Sequence, residues 1–172
     1  MMISGVSFSY GQSSGVKPSQ YAEIHQTVGT ANIRITYHRP NQKGRKLWGS
    51  AEEEALVPNG KVWRSGANNA TVFEITEDAT INGKPLPAGK YSFYTIPDTK
   101  EWTLIFNKTW DQWGTQYNRK TDALRVMTMP SMSEESKESL AYHIENVKSN
   151  SAEVILAWGK ARIPFTVQFG GE

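Results

Sequence analysis

Three arginines stand where a guanidinium can meet an anion through two parallel hydrogen bonds. Arg39 precedes Pro40, Arg45 follows Gly44, and Arg64 lies in the run Trp63-Arg64-Ser65-Gly66-Ala67-Asn68-Asn69. A planar, permanently charged fork at a strand end or beside a glycine suits a carboxylate or phosphate. Converging, the three would form an anion pocket with Asn68 as a neutral donor. The alternative is structural: the same arginines pair with the acids at 52–54, Asp111 or Asp122.

Aromatic residues offer a second chemistry. Trp48, Trp63, Trp110, Trp113 and Tyr117 fall in loops or at strand ends, whereas Trp102 and Trp158 read as strand residues. Indoles can cover the apolar faces of a sugar, and Asp111 and Gln112, inside Trp110-Asp111-Gln112-Trp113, would bond its hydroxyls. Such rings equally serve to cap a β-core. A third constellation is metal-like. If Val28 pairs with Ile33, Glu23 faces His38 and His25 faces Thr36, so that two imidazoles and a carboxylate share one strand face. That set would suit zinc and a metal-bound water, but no HExxH-type spacing supports it, and a solvated outer face explains the same residues. Ser65 is not in a Gly-x-Ser-x-Gly elbow, Gly-rich phosphate loops are absent, and nothing calls for a cofactor. Asp111 and Asp122 are the carboxylates whose separation would bear on glycoside hydrolysis.

These residues need a scaffold, and the chain supplies strands. Residues 57–71 pack a turn, an indole, a guanidinium, Gly60, Gly66 and two carboxamides immediately before a strand at 71–76. Trp63 and Arg64, being adjacent, point to opposite faces of an extended chain, so one anchors while the other reaches out. Residues 31–39 alternate, with Ile33, Ile35 and Tyr37 on one face and Arg34, Thr36 and His38 on the other, the period of a half-buried strand. Further strands are expected at 22–28, 90–96, 102–107, 123–129, 138–145, 153–158 and 162–169, with a hairpin at Asn82-Gly83. Residues 50–54 read as the start of a short helix, with Ser50 as cap and acids in its first turn. Residues 108–120 form an aromatic, polar loop, and 131–137 a polar connection. The sum is an all-β, single-domain antiparallel β-sandwich or flattened barrel of about nine or ten short strands.

Composition narrows the function classes. The 172 residues suffice for one domain with a sizeable core, taken here as 20–172 after a leader and linker at 1–19. Nineteen Lys and Arg against seventeen Asp and Glu is too even a balance to favour nucleic acid or an anionic membrane surface. Without cysteine there is no disulfide, thiolate metal site or cysteine nucleophile. No run reaches the roughly 18 apolar residues of a transmembrane helix. The first twelve residues are apolar and small and resemble the back half of a signal peptide. The expectation is export, with the mature chain starting near Gln12 or Ser13. N-terminal sequencing of the native protein checks this, and an intact Met1 would overturn it.

The chain resembles a known family through Arg39-Pro40, Gly44-Arg45, Trp48-Gly49, the run from Val57 through Trp63-Arg64-Ser65-Gly66-Ala67-Asn68, Leu86-Pro87-Ala88-Gly89-Lys90-Tyr91-Ser92 and Trp102-Thr103-Leu104-Ile105-Phe106-Asn107. It is similar, from about Gln20 to about Phe169, to the domain of unknown function numbered 2911, found mainly in exported bacterial proteins. His38 departs from the pattern, which usually has Ser before Arg-Pro. The resemblance implies export and a β-rich single domain, and no established activity. The residues themselves point to a binding module with one polar and aromatic pocket for a small anion or a saccharide. Arg39, Arg45, Trp48, Trp63, Arg64, Asn68, Asp111, Trp113 and Tyr117 are its candidate lining. The alternatives are a hydrolase using the same pocket, with Asp111 or a histidine-bound metal, and a structural or adhesive envelope domain.

Overall fold

The structure, a computed structural model, describes residues 15–170; the expected signal remnant and its cleavage point lie outside the described residues. Twelve strands follow in order: β1 (Gln20–Val28), β2 (Ala31–Arg39), β3 (Trp48–Gly49), β4 (Val57–Pro58), β5 (Thr71–Ile75), β6 (Ala79–Ile81), β7 (Lys84–Leu86), β8 (Gly89–Ile96), β9 (Trp102–Asn107), β10 (Asp122–Thr128), β11 (Ser131–Glu145) and β12 (Ser151–Phe169). A six-stranded sheet runs β1-β2-β5-β8-β9-β10, a four-stranded sheet runs β11-β12-β6-β7, and β3 pairs with β4 in parallel. Both large sheets are antiparallel and neither closes, so the fold is an all-β sandwich. No helix among the described residues is long and apolar enough to cross a membrane.

The alternation seen in β2 carries the packing. Ile33, Ile35 and Tyr37 are buried, while Arg34, Thr36 and His38 face outward. The same inward set continues across the first sheet as Phe73, Ile75, Phe93, Leu104 and Phe106, and it meets Leu156, Trp158, Ile163, Phe165 and Val167 from β12. Phe165 sits at the centre, with ring centroids 5.9 Å from Phe73, 5.5 Å from Phe93 and 5.9 Å from Phe106. Each such ring removes a large apolar area from water, and offset or edge contacts at these distances add to it.

Four local expectations change. Val28 pairs with Ala31, not Ile33, because Gly29 at φ 61° lets Gly29-Thr30 close the hairpin alone. Residues 50–54 form two successive turns, Glu53 N–H to Ser50 O and Glu54 N–H to Ala51 O, in place of a helix start. The two strands expected at 153–158 and 162–169 are one, β12, which passes from β11 to β6 through Gly159 at φ 56°. Gly159 is required twice over, since a β-carbon there would lie 2.7 Å from Leu47 Cδ1. Finally, the polar stretch at 131–137 belongs to β11, an edge strand whose outward polar side chains are what an edge tolerates.

Opposite Gly159, β11 carries extra residues. Five steps from Met132 to Lys137 match two from Ala161 to Gly159, and four from Lys137 to Ala141 match two more. This bulge delivers Glu138 to the 40–45 loop, where its carbonyl accepts from Gln42 N–H (2.8 Å) and its carboxylate from Lys43 N–H (2.7 Å).

Candidate functional site

The 63–71 loop is held from both sheets. Trp63 exchanges backbone hydrogen bonds with Thr95, at 2.8 and 2.9 Å. Ser65, fully buried and at φ 51°, offers a carbonyl that accepts from Tyr142 OH (2.7 Å) and Thr71 Oγ1 (3.1 Å). Burial drives the Tyr142 hydroxyl well above the ordinary phenol range, so it stays a donor. Gly66 passes so close to β2 that a β-carbon would stand 2.8 Å from Thr71 Oγ1 and 3.2 Å from His38 O. A non-glycine residue in the left-handed region is a strain that only such surrounding bonds maintain.

The loop faces 40–45. Arg45 is pinned by its own turn, Nε to Gln42 O at 2.9 Å and Nη2 to Asn41 O at 2.6 Å. Between the two loops lies a cavity of about 530 Å³ lined by Lys43, Arg45, Arg64, Asn68, Trp63 and Trp158, with Leu56 and Val57 adding apolar wall. Its lining holds three cationic side chains and no carboxylate. Among the described residues none of the three is in an ion pair; Glu53 pairs with Lys46 and Asp122 with Arg125 instead. Arg64 Nε is buried with no hydrogen-bond partner, and burial shifts its guanidinium toward the neutral form. The Arg64 stem rests on Gly114, where a β-carbon would fall 2.1 Å from Cδ and 2.7 Å from Asn68 O.

The indoles form a cluster beneath this cavity. Trp63 stacks on Trp158 with centroids 5.8 Å apart and an interplanar angle of 15°, and Trp48 meets Trp63, Trp102 and Trp158 edge-on. Trp48 is therefore packing rather than lining, and its Nε1 is buried without a partner. Arg39 is also outside the lining; its Nε donates to Leu140 O at 2.8 Å and ties β2 to β11.

The 108–121 segment does not join this cavity. It lies over the outer face of β8 and β9, covering Tyr94 and Ile105, which form a small apolar cluster with Ala70 away from the main core. Tyr117 packs on Tyr94 at 5.0 Å, Gln112 Nε2 donates to Tyr94 OH at 3.0 Å, and Gly114 N–H to Asn68 O at 3.0 Å. The expected single pocket is thereby divided. Arg64 and Tyr117 share a second hollow of about 350 Å³, Asp111 lines a groove on the sheet face, and Trp113 is exposed under the Lys17 ammonium at 5.9 Å. Tyr117 OH donates to Asp122 Oδ2 at 2.6 Å, and Arg125 reaches both groups, so Asp122 is consumed in a closed network. Glu23, His25 and His38 are not brought together either. Their strands pair His38 with Tyr21, Glu23 with Thr36 and His25 with Arg34. His25 Nε2 lies 3.0 Å from Asn32 Oδ1 and Glu23 pairs with Arg34 at 3.4 Å. No group of three potential ligands exists among the described residues.

Lys43, Trp158, Leu56 and Val57 are among the lining residues that escape reading from sequence as site residues. Lys43 carried the weaker signal of a basic turn with Gly44 and Arg45. Trp158 carried none, because only the sheet arrangement sets it beside Trp63.

The model for a family described as protein of unknown function (DUF2911) matches residues 19–167. The chain belongs to this family. No curated protein and no solved structure is significantly similar to it. The DUF2911 match begins beside β1 and ends within β12, so it takes in both sheets and every lining residue of the cavity between 40–45 and 63–68 except Pro18.

Proposed function

We propose that this DUF2911 domain is a binding module whose cavity takes a small organic anion, a carboxylate or phosphate attached to an apolar body. What supports the reading is one observation: Lys43, Arg45 and Arg64 line a common cavity that contains no acidic side chain. Like charges that share a lining without an acidic residue in it repel one another, and an anion entering between them relieves that repulsion while gaining charge-assisted hydrogen bonds. Arg45 is pre-organised by its two carbonyl partners, so little side-chain freedom is lost on binding. Half-buried Trp63 and exposed Leu56 give the apolar body its surface, with the buried Trp158 and Val57 closing the wall behind them. The hydrolase reading finds no carboxylate or imidazole in this lining, since Asp111 lies in another groove and Asp122 is held by Tyr117 and Arg125.

Thermal shift of the whole protein against phosphate, acetate, benzoate, phenyl phosphate and neutral cellobiose tests the reading. An anion with a ring should raise the melting temperature most, since a ligand at a hundred times its dissociation constant adds ~2.7 kcal/mol. The gain should shrink as salt rises. Silence from every anion at low salt would overturn the proposal and favour a structural or adhesive domain.

A further inference from the structure

On the outward face of the six-stranded sheet, two adjoining hollows of about 210 and 170 Å³ share Tyr21, Thr36, Val72 and Trp110. The strand register explains the trough. Thr36 and Val72 are direct cross-strand partners and, being short, form its floor. Tyr21, on the edge strand β1, rises on one side. Trp110, delivered from the 108–121 loop, rises on the other. Both rings remain open to solvent, at 60% and 40% exposure, although each is fixed in place. Tyr21 donates its hydroxyl to Glu23 at 3.0 Å and meets His38 edge-on at 5.9 Å. The Lys90 ammonium lies 4.8 Å from the Trp110 ring centroid.

The polar groups fall at the two ends of the trough. His38, Asp111 and Gln112 stand at one, and Glu23, Arg34, Glu74 and Lys90 at the other. Gln112 spends its amide N–H groups on Tyr94 OH and Ser92 Oγ and its backbone carbonyl on Ala70 N–H, which leaves its side-chain carbonyl to accept. Asp111 has no hydrogen-bond or ion-pair partner among the described residues. Partial burial, with the Lys17 charge behind it, lowers His38 below the usual imidazole value, so at neutral pH it can both donate and accept. Charges of both signs are interspersed, unlike the purely cationic cavity, so the groove has no preference for a charged ligand.

We propose that this trough is a second, independent site that binds an oligosaccharide, with Tyr21 and Trp110 covering the apolar faces of successive pyranose rings and the polar ends bonding their hydroxyls. A sugar chain is the ligand that asks for this alternation: rigid rings with hydrophobic C–H faces and hydroxyls on their rims, met by fixed aromatic walls and mixed donors and acceptors. Each hollow is about the size of one ring, and the shared floor is continuous, so the ligand is a chain rather than a monosaccharide. The inference does not rest on the anion cavity, which lies elsewhere and shares no lining residue with the trough.

Isothermal titration of the full chain with cellohexaose, chitohexaose, maltohexaose and laminarihexaose tests it. At least one hexaose should bind, the matching monosaccharide at least tenfold more weakly. Trp110→Ala and Tyr21→Ala should each weaken the hexaose at least tenfold without lowering the melting temperature appreciably. Val147→Ser, exposed elsewhere, should change nothing. No binding by any of the four, or binding that survives both groove substitutions, would overturn the proposal.

Discussion

Arg64→Ala should lower the affinity for the organic anion roughly thirtyfold, the loss of about 2 kcal/mol expected when a charged hydrogen-bond donor is removed from a bound ion. The same change should leave the melting temperature close to that of the parent protein. Two stability effects oppose each other. Arg64 keeps a buried Nε without a partner in the structure and a guanidinium whose charge burial disfavours, so removing it relieves a desolvation cost. Its stem, however, packs on Gly114, and that contact is lost. The net should fall within about 1 kcal/mol of zero, either sign. Arg64→Lys separates charge from geometry: it retains the ammonium but not the planar fork or the Nε–H, and should recover only part of the affinity. Titration calorimetry alongside thermal melts reads both quantities. Unchanged affinity with a lowered melting temperature would make Arg64 a structural residue and remove the main support for the anion reading.

The division of the expected pocket shows what strand periodicity can and cannot carry. Alternation along 31–39 identifies which side chains of β2 face inward, and that inward set is the core. Alternation is silent about how far a hairpin slips. Gly29-Thr30 closes in two residues, and the assumed longer turn displaced the β1 partners of His38 and Thr36 by two positions. Nor does it say which face of the sheet a loop will cover. The aromatic, polar composition of 108–120 suggests a place beside Arg45 around one pocket. The segment instead follows an apolar demand set by Tyr94 and Ile105, two strand residues facing away from the main core. Arg45, Trp63, Arg64 and Asn68 do share one cavity because short, strained loops bring them there, with Gly66 and Ser65 in conformations that Tyr142 and Thr71 hold. Those restraining bonds come from residues 71 and 142, and no local pattern near residue 65 announces them. Among the described residues the salt bridges weighed for Arg39 and Arg45 are absent for two different reasons: the carbonyls at 41 and 42 in its own turn reach Arg45 first, and the distant carbonyl at 140 reaches Arg39.

Trp158→Ala should be the most damaging single substitution to stability, at about 4 kcal/mol, within the range for truncating a large buried aromatic side chain. The indole is 1% exposed, stacks on Trp63, meets Trp48 edge-on and donates Nε1–H to Glu138 O at 3.1 Å. Its neighbours cannot close the gap readily. Gly159 beside it is bound to its left-handed conformation, and Glu138 is already anchored to Gln42 and Lys43. For a domain of this size the loss corresponds to roughly 8–16 °C in melting temperature. Trp158→Phe keeps an aromatic face but not the donor. The Glu138 carbonyl still accepts from Gln42 N–H, so that variant should lose only about 1–2 kcal/mol, chiefly from the smaller ring. Denaturant melts of the two variants, with near-ultraviolet circular dichroism to follow the coupled indoles, measure the difference. If Trp158→Ala and Trp158→Phe were equally mild, the four-tryptophan cluster would not be a stabilising core. The floor of the cavity would then be free to rearrange around a ligand, and the pre-organised site argued from it would fail with it.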